Sequence, residues 1–287
     1  MPHCRSWQVV KAYGRAERRS VDNVNASGRA GQDVGEVFDS HCHLDLLETP
    51  VRQVLAEARA AGISRVVTVG YDISSSRWAA QCATEHRDVY AAVAIHPNET
   101  ARSADGAFDM IRGLAGLPQV RAIGETGLDY YRDWSDPAIQ RQWFRAHIEL
   151  AKQEGKPLVI HDRDAHDDVL RILADEGAPR QVVFHCFSGD KEMVKTCADA
   201  GYFMSFAGNV TFSSAGPLRE AAGQVPVDLL LVETDAPYLT PVPHRGKPNA
   251  PAYIPYTLRC LAEVRGADPA ELGAAIAATG GLLFGPW

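Results

Sequence analysis

The residues with the clearest capacity for chemistry are two histidines, His41 and His43, which lie at the end of a short apolar run. Side chains two positions apart on an extended segment point to the same side, so both imidazoles can reach one metal ion. Imidazole is the commonest side-chain ligand of zinc-like cations. A surface pair that binds nothing is the competing interpretation, and these two residues alone do not decide between them.

The same arrangement recurs along the chain, because further histidines and carboxylates stand where later apolar runs end. They are His96, Glu125, His161, His185, Glu233 and Asp235. Any one of them alone is more often a hydrogen-bonded loop residue, but their repetition at strand ends is hard to attribute to chance. Of the other histidines, His147 is predicted to be structural on a helix face and His86 to lie at the opposite rim, while His166 and His244 stay open.

The elements that must position these residues alternate between short apolar strands and longer amphipathic helices. The predicted strands are 36–40, 65–70, 89–95, 120–124, 157–160, 181–184, 202–205 and 228–232. The predicted helices are 50–61, 74–86, 105–116, 137–154, 165–177, 190–200, 214–223 and 254–265. Near-continuous apolar strands followed by helices indicate a parallel sheet covered on both faces. Eight such units over about 250 residues favour a single-domain (β/α)₈ TIM barrel over an open doubly wound sheet, and they predict functional residues at the carboxyl ends of the strands.

Composition narrows the class of protein. The formal net charge is −7. The chain therefore lacks the broad basic face of a protein that coats nucleic acid, and any contact with phosphate must be local. The six cysteines include no CxxC pair, which argues against a disulfide scaffold and favours a reducing compartment, predicted to be the cytoplasm. No apolar run approaches the roughly 18 residues of a membrane span.

Residues 1–34 differ from the rest of the chain, because they combine basic residues with Ser, Asn and Gly and show little apolar periodicity. They are predicted to form a loosely ordered, disordered N-terminal extension or to reflect a translation start placed too far upstream, with the barrel over 35–287. No apolar segment follows the basic residues, so neither a secretory nor a twin-arginine signal is expected.

Clustered imidazoles and carboxylates support metal-assisted hydrolysis. Two divalent ions about 4 Å apart can activate water and stabilise both oxygens of an in-line phosphoryl displacement. The sequence contains neither a GxSxG nucleophile elbow nor a GxxxxGK[ST] phosphate loop. Their absence weakens a covalent serine mechanism and an ATPase.

Six segments carry these residues: DSHCHLD, AIHPN, AIGETGLDYY, VIHDRDA, VFHCFSG and ETDAPYLTPVPHRGKPNAP. In this order they closely resemble the TatD family of metal-dependent deoxyribonucleases, whose fold is an amidohydrolase-like barrel. The likeness covers about residues 36–285. The resemblance implies a 3′–5′ exodeoxyribonuclease that cleaves phosphodiester bonds of single-stranded or frayed DNA ends with a metal-activated water. It also implies two divalent ions, Mg²⁺ by family resemblance, although histidine-rich sites also suit Zn²⁺ or Mn²⁺.

By the same resemblance, six residues are predicted to hold the ions, with Glu125 as the bridge: His41, His43, Glu125, Asp235, His161 and His185. Asp235 is predicted to be the general base, and His96 to assist in positioning or proton transfer. Glu233 is predicted to orient a ligand from behind, and a buried hydrogen-bonding carboxylate is its alternative role.

Four residues are predicted to contact the substrate. Arg163, Arg245 and Lys247 lie in rim loops where they can grip phosphates, with solvated loop charge as the alternative. Phe187 is predicted to stack on a base, with exclusion of water as the alternative. The chain departs from the family in its N-terminal extension and in its closing segment, which lacks the usual asparagine and arginine.

Two other functions compete with the nuclease. The same metal site could hydrolyse an ester, a lactone or a D-aminoacyl-tRNA, because the barrel rim does not distinguish phosphorus from carbon as the target. A barrel that has lost catalysis and only binds is the third hypothesis, but no predicted ligand position is substituted. No membrane and no obligate protein partner is expected.

Overall fold

Eight parallel strands form a barrel in the order of the sequence. The computed structural model describes residues 34–285. Its strands are β1 (Val37–Cys42), β2 (Ile63–Val69), β3 (Val89–Val93), β4 (Val120–Asp129), β5 (Leu158–Arg163), β6 (Val182–Phe184), β7 (Phe203–Phe206) and β8 (Leu230–Val232). Each strand pairs in parallel with the next one. The predicted barrel and all eight of its strands are confirmed.

Helices cover the outside of the barrel. They are α1 (Val51–Ala60), α2 (Ile73–Glu85), α3 (Ala107–Ala115), α4 (Pro137–Glu154), α5 (His166–Glu176), α6 (Lys191–Asp199), α7 (Gly216–Gln224), α8 (Ile254–Arg265) and α9 (Pro269–Phe284). Short 3₁₀ turns lie at Leu44–Leu46, Pro97–Arg102, Gly208–Thr211, Val227–Leu229 and Pro251–Tyr253. The eight predicted helices are confirmed to within two residues at each end. None of the helices within residues 34–285 is long and apolar enough to cross a bilayer.

The predicted N-terminal extension, residues 1–34, lies outside the described residues except for Val34. That residue is fully buried. Its carbonyl oxygen approaches Gly273 of α9 so closely that a Cβ built there would lie 2.3 Å from it. Val34 therefore packs with the barrel, one residue before the predicted boundary.

Strands β1, β4 and β5 each reach two or more residues further toward the rim than predicted. β4 continues from Gly124 to Asp129, and its last four residues pair with β5 as far as Arg163. A Cβ at Gly127 would lie 2.1 Å from the carbonyl oxygen of His161, so a glycine is needed where the two strands meet this closely. His41, Glu125 and His161 therefore lie within strands, and the prediction that each follows a strand end is wrong.

The barrel closes between β8 and β1 at the rim. The backbone N–H of His43 donates to the carbonyl of Ala236 at 2.8 Å, and that of Asp235 donates to the carbonyl of His41 at 2.9 Å. Below these bonds the buried carboxylate of Asp39 accepts hydrogen bonds from the backbone and hydroxyl of Thr234. Burial raises the pKa of Asp39 to about 7, although these hydrogen bonds oppose the rise. Closure thus brings the first histidine pair to the acid that follows β8.

Helix α9, which is absent from the predicted helices, completes the outer layer against β1 and β8. Asp268 caps it by accepting from the backbone N–H groups of Ala270 and Glu271, as expected for an N-cap aspartate. Its Phe284 meets Phe38 of β1 edge to face, with ring centroids 6.0 Å apart. The helix carries apolar residues on most of its sides, so the amphipathic period used to recognise helices is weak here.

Gly280 in α9 provides a test of this packing. A Cβ at Gly280 would lie 2.1 Å from the ring of Phe38, which is 1% exposed. We expect Gly280→Ala to lower the free energy of unfolding by about 1–2 kcal/mol in urea, because the buried ring has no space into which to move. The control is Gly113→Ala in α3, where a Cβ meets nothing within 4 Å. We expect that variant to be stabilised by up to about 1 kcal/mol. Equal stability of the two variants would contradict the packing described.

His147 is a structural histidine, as predicted. Its Nδ1–H donates to the carbonyl of Trp143 at 2.8 Å, and its Nε2 accepts from the backbone N–H of Ile95 at 3.2 Å. The side chain therefore joins α4 to the end of β3. Burial lowers the pKa of His147 to about 4, although the hydrogen bond to Trp143 opposes that change.

This depressed pKa predicts acid sensitivity. The unfolded chain binds a proton at His147 near pH 6.5, whereas the folded chain does so only near pH 4. The contribution of His147 to stability is therefore present above about pH 6.5 and is lost as the pH falls toward 4. We expect His147→Gln to reduce the stability lost between about pH 8 and pH 5 by about 2 kcal/mol, measured by urea unfolding at each pH. Parallel stability curves for the two proteins would contradict this expectation.

Candidate metal centre

Five imidazoles surround one carboxylate at the carboxyl-terminal mouth of the barrel. The carboxylate belongs to Glu125 of β4, which is 4% exposed. The histidines come from four different strands or the loops that follow them: His41, His43, His96, His161 and His185. The structure therefore brings together residues that are separated by up to 144 positions in the chain, as the strand-end pattern predicts.

The two oxygens of Glu125 face two different groups of imidazoles. Oε2 lies 3.5 Å from Nε2 of His41 and 3.8 Å from Nε2 of His43. Oε1 lies 2.7 Å from Nδ1 of His161 and 2.8 Å from Nε2 of His185. A carboxylate with one oxygen toward each of two donor groups has the arrangement needed to bridge two cations.

Asp235 completes the first group of donors. Its Oδ1 lies 3.9 Å from Nε2 of His41 and 3.6 Å from Nε2 of His43. His43 donates Nδ1–H to the carbonyl of Val69 at 2.9 Å, which leaves the lone pair of Nε2 directed at the site. His41, His43 and Asp235 offer ligand atoms within 4.8 Å of one another.

His96 is held differently from His43. Its Nδ1 accepts from the backbone N–H of Asn98 at 3.0 Å, and its Nε2 lies 3.5 Å from Oε1 of Glu125. A neutral imidazole that accepts at Nδ1 carries its hydrogen at Nε2. His96 therefore directs an N–H donor into the site, which fits positioning or proton transfer better than metal ligation.

Glu233 lies behind His185 and is fully buried. Its Oε1 accepts from the backbone N–H of Cys186 at 2.7 Å and lies 3.1 Å from Nδ1 of His185. The ring of His185 also stacks on that of His41, with centroids 3.8 Å apart. Both alternatives for Glu233 are compatible with this contact, because a buried hydrogen-bonding carboxylate also orients the ring.

The buried charges at the mouth shift one another's pKa values. Burial alone would raise the pKa of Glu125, but the imidazoles of His185, His96 and His161 hold it well below its usual range. Burial would lower the pKa of His161, yet Asp129 and Glu125 raise it to about 9. Burial lowers the pKa of His41 to about 4, and the neighbouring His185 contributes to the decrease. Glu125 is therefore ionised and buried, a state that requires positive charge beside it.

Asp129 is a residue that the sequence-based predictions missed. Its Oδ2 lies 3.2 Å from Nε2 of His161 and accepts from the side-chain amide of Asn98 at 2.9 Å. In a strand that continues past Gly124, Asp129 lies four residues after Glu125 and thus on the same side. The prediction ended this strand at Gly124, and so the alternation was not followed to Asp129.

The predicted substrate residues fall into two classes. The guanidinium of Arg163 lies 3.9 Å from the ring centroid of Tyr131, and that of Arg245 lies 3.9 Å from the ring centroid of Phe212. Lys247 is exposed in the same loop as Arg245. All three cations are therefore at the surface, where contact with phosphate stays a prediction.

Phe187 differs, because it is 2% exposed and packs on Phe206 with ring centroids 5.7 Å apart. The prediction that Phe187 offers its ring to a base is wrong, because that ring belongs to the hydrophobic core.

The two histidines left open have partners outside the imidazole cluster. His166 Nδ1 lies 2.7 Å from the carboxylate of Asp162. His244 stacks on Tyr253 with ring centroids 4.5 Å apart. His86 follows α2 and precedes β3, which places it at the opposite end of the barrel, as predicted.

Comparison with known proteins identifies the family of this chain. The family model for the TatD related DNase matches residues 38–285. The chain belongs to the TatD family. A Mycobacterium tuberculosis protein described as an uncharacterized metal-dependent hydrolase TatD is 47% identical over 247 residues, which cover 82% of this chain and 93% of that protein. A protein of Citrobacter rodentium named 3′-5′ ssDNA/RNA exonuclease TatD is 35% identical over 240 residues, covering 81% and 91% of the two chains.

Solved structures support the same placement. The crystal structure of YJJV, a TatD homologue from Escherichia coli K12, superposes with a TM-score of 0.81 at 26% identity and covers 86% of this chain and 97% of that one. An organophosphorus hydrolase from Deinococcus radiodurans superposes with a TM-score of 0.58 at 18% identity, covering 89% and 94%, which shows the shared fold alone. The chain is therefore a metal-dependent hydrolase of the TatD family.

The donor set of this chain fits divalent cations. Imidazole and carboxylate donors suit zinc, manganese and related ions. The imidazole of His43 donates its Nδ1–H to the carbonyl of Val69, which leaves its Nε2 free to ligate a cation. The ionised Glu125 is the group on which metal binding should depend most.

We expect divalent metal to stabilise the chelator-treated protein through this carboxylate. With Mn²⁺ at about one hundred times its dissociation constant, the wild type should gain about 2.7 kcal/mol, because the ion binds the folded state only. Glu125→Gln should lose most of this gain in thermal unfolding with and without Mn²⁺.

The matched control is Glu149→Gln on the exposed face of α4, which should keep the full gain. A gain of equal size in Glu125→Gln would exclude Glu125 as a metal ligand.

Proposed function

We propose that this TatD family hydrolase is a 3′–5′ exodeoxyribonuclease that uses two divalent cations at the mouth of the barrel. The observation that supports it best is that the two carboxylate oxygens of Glu125 face separate groups of imidazoles. One cation would be held by His41, His43, Asp235 and Glu125, and the other by Glu125, His161 and His185. Bound there, the cations would neutralise phosphate charge and make a water more acidic.

The residues of the chain then have distinct tasks. Asp235 is 15% exposed at its side chain, so its carboxylate is open to the mouth and can take the proton of the attacking water as general base. His96 directs Nε2–H into the site and can donate it to a phosphate oxygen or to the departing oxygen. Glu233 and Asp129 hold the rings of His185 and His161 from behind.

Several features favour a nucleic acid substrate with a free end. The mouth carries Arg163, Arg245 and Lys247 as local cations on a chain of net charge −7, which suits the end of one strand better than a long duplex. The Citrobacter rodentium relative, 35% identical, is named as an exonuclease on single-stranded DNA and RNA. Mg²⁺ is the cation we expect in the nuclease reaction, and a cytoplasmic location stays a prediction from cysteine usage.

The test uses a 5′-labelled single-stranded oligodeoxynucleotide with Mg²⁺, with and without chelator. We expect stepwise shortening from the 3′ end, and no shortening when that end is blocked. Glu125→Ala should remove the activity, and Asp235→Asn should reduce it by about 10²–10⁴-fold through loss of the general base.

The control for this assay is His86→Ala at the opposite end of the barrel, which should retain full activity. Activity that persists in both Glu125→Ala and Asp235→Asn would assign it to another protein. Efficient release of the amino acid from a D-aminoacyl-tRNA, without nucleotide release, would favour the competing ester hydrolase.

A further inference from the structure

Cationic and aromatic side chains alternate along one side of the mouth, next to β4 and β5. The guanidinium of Arg163 lies 3.9 Å from the ring centroid of Tyr131, and that of Arg132 lies 5.5 Å from the same ring. Arg132 also lies 4.9 Å from the ring of Trp134, and Arg102 lies 5.9 Å from it. We refer to Arg163, Tyr131, Arg132, Trp134 and Arg102 as the Arg–aromatic row.

The Arg–aromatic row is accessible to a ligand. Tyr131 is 56% exposed and the side chain of Arg102 is 62% exposed, whereas Arg132 and Trp134 are half-buried. Within residues 34–285, neither Arg132 nor Arg163 forms an ion pair with a carboxylate, whereas Arg102 contacts Glu99 at 3.8 Å. Two arginines without acidic partners therefore lie together on a chain whose net charge is −7.

Asp129 connects the row to the candidate metal centre through hydrogen bonds. Its Oδ1 accepts from the backbone N–H groups of Tyr131 and Arg132 at 3.0 and 2.9 Å. Its Oδ2 faces Nε2 of His161 at 3.2 Å. One buried carboxylate thus fixes both a metal-site imidazole and the turn that presents the row. Arg163 belongs to the same strand as His161 and pairs in register with Asp129.

We propose that the Arg–aromatic row binds the part of a single-stranded nucleic acid that extends beyond the cleaved end. Bases would stack on Tyr131 and Trp134, and phosphates would contact the arginines, as in other surfaces that hold single strands without sequence preference. A duplex would not fit this mode, because its base faces are already stacked on one another. The proposal rests on the proposed function for its substrate class, and it adds where the strand runs and which residues hold it.

The test separates binding from cleavage. Fluorescence anisotropy with a labelled oligothymidylate octanucleotide and dinucleotide, in chelator, gives dissociation constants without hydrolysis. The wild type should prefer the octanucleotide. Tyr131→Ala should weaken octanucleotide binding at least about fivefold through loss of stacking, whereas Tyr131→Phe, which keeps the ring, should retain the wild-type affinity.

A second variant tests the electrostatic part without altering an aromatic residue. Arg132→Gln should lower the dependence of the logarithm of octanucleotide affinity on the logarithm of salt concentration by about 0.7, the effect of one phosphate contact on a single strand. The control is Arg112→Gln in α3, an arginine that lies 5.1 Å from the ring of Phe108 away from the mouth. That variant should change neither affinity nor salt dependence.

The outcomes distinguish this proposal from the nuclease assignment. Octanucleotide binding that is unchanged in both Tyr131→Ala and Arg132→Gln would overturn the row as a binding surface, even if the protein cleaves DNA. Loss of the length preference in these variants would support the row, even if no cleavage is observed with any metal. Equal binding of heparin and of the octanucleotide, with no effect of Tyr131→Ala, would show charge attraction alone and would also overturn the proposal.

Discussion

The structure depends on one buried negative charge, the carboxylate of Glu125 at the mouth of the barrel. An ionised carboxylate removed from water costs several kcal/mol unless opposite charge and hydrogen bonds surround it. Here the compensation comes from imidazoles on several strands, which lower the pKa of Glu125 well below its usual range. The side chains around it are in turn held by a carbonyl, by Glu233 and by Asp129. The mouth is therefore arranged for cations before any substrate arrives.

Barrel closure makes this arrangement possible. His41 and His43 belong to the first strand and Asp235 follows the last one, so they meet only if the sheet closes on itself. The closing hydrogen bonds run between these same segments, and the buried Asp39–Thr234 contact lies directly beneath them. A change in the pairing of β1 with β8 would therefore also displace His41, His43 and Asp235 of the candidate metal centre.

Asp129 shows how the site extends into the surface around it. A carboxylate has two oxygens that can accept several hydrogen bonds, and Asp129 uses one toward His161 and the other toward the turn after β4. The exposed arginines and rings on that turn are consequently positioned by the same residue that positions the imidazole. The Arg–aromatic row and the imidazole of His161 are therefore joined through Asp129 in one hydrogen-bonded unit.

The amino-acid sequence alone determined the barrel and most of the imidazoles and carboxylates at its mouth, although not Asp129. Apolar runs of strand length, six of the eight followed directly by His or Glu, are local patterns, and parallel strands must place such residues at one rim. The tertiary structure decided what depends on neighbouring strands. β4 extends to Asp129 because it pairs with β5, and Phe187 turns inward because Phe206 packs on it. The period of α9 is weak because its exposed side carries apolar residues too, Leu282 among them. The imidazoles that face each carboxylate oxygen of Glu125 likewise come from other strands. Strand pairing, core packing and side-chain direction at a strand end depend on residues that are distant in the chain, so no short stretch of sequence can predict them.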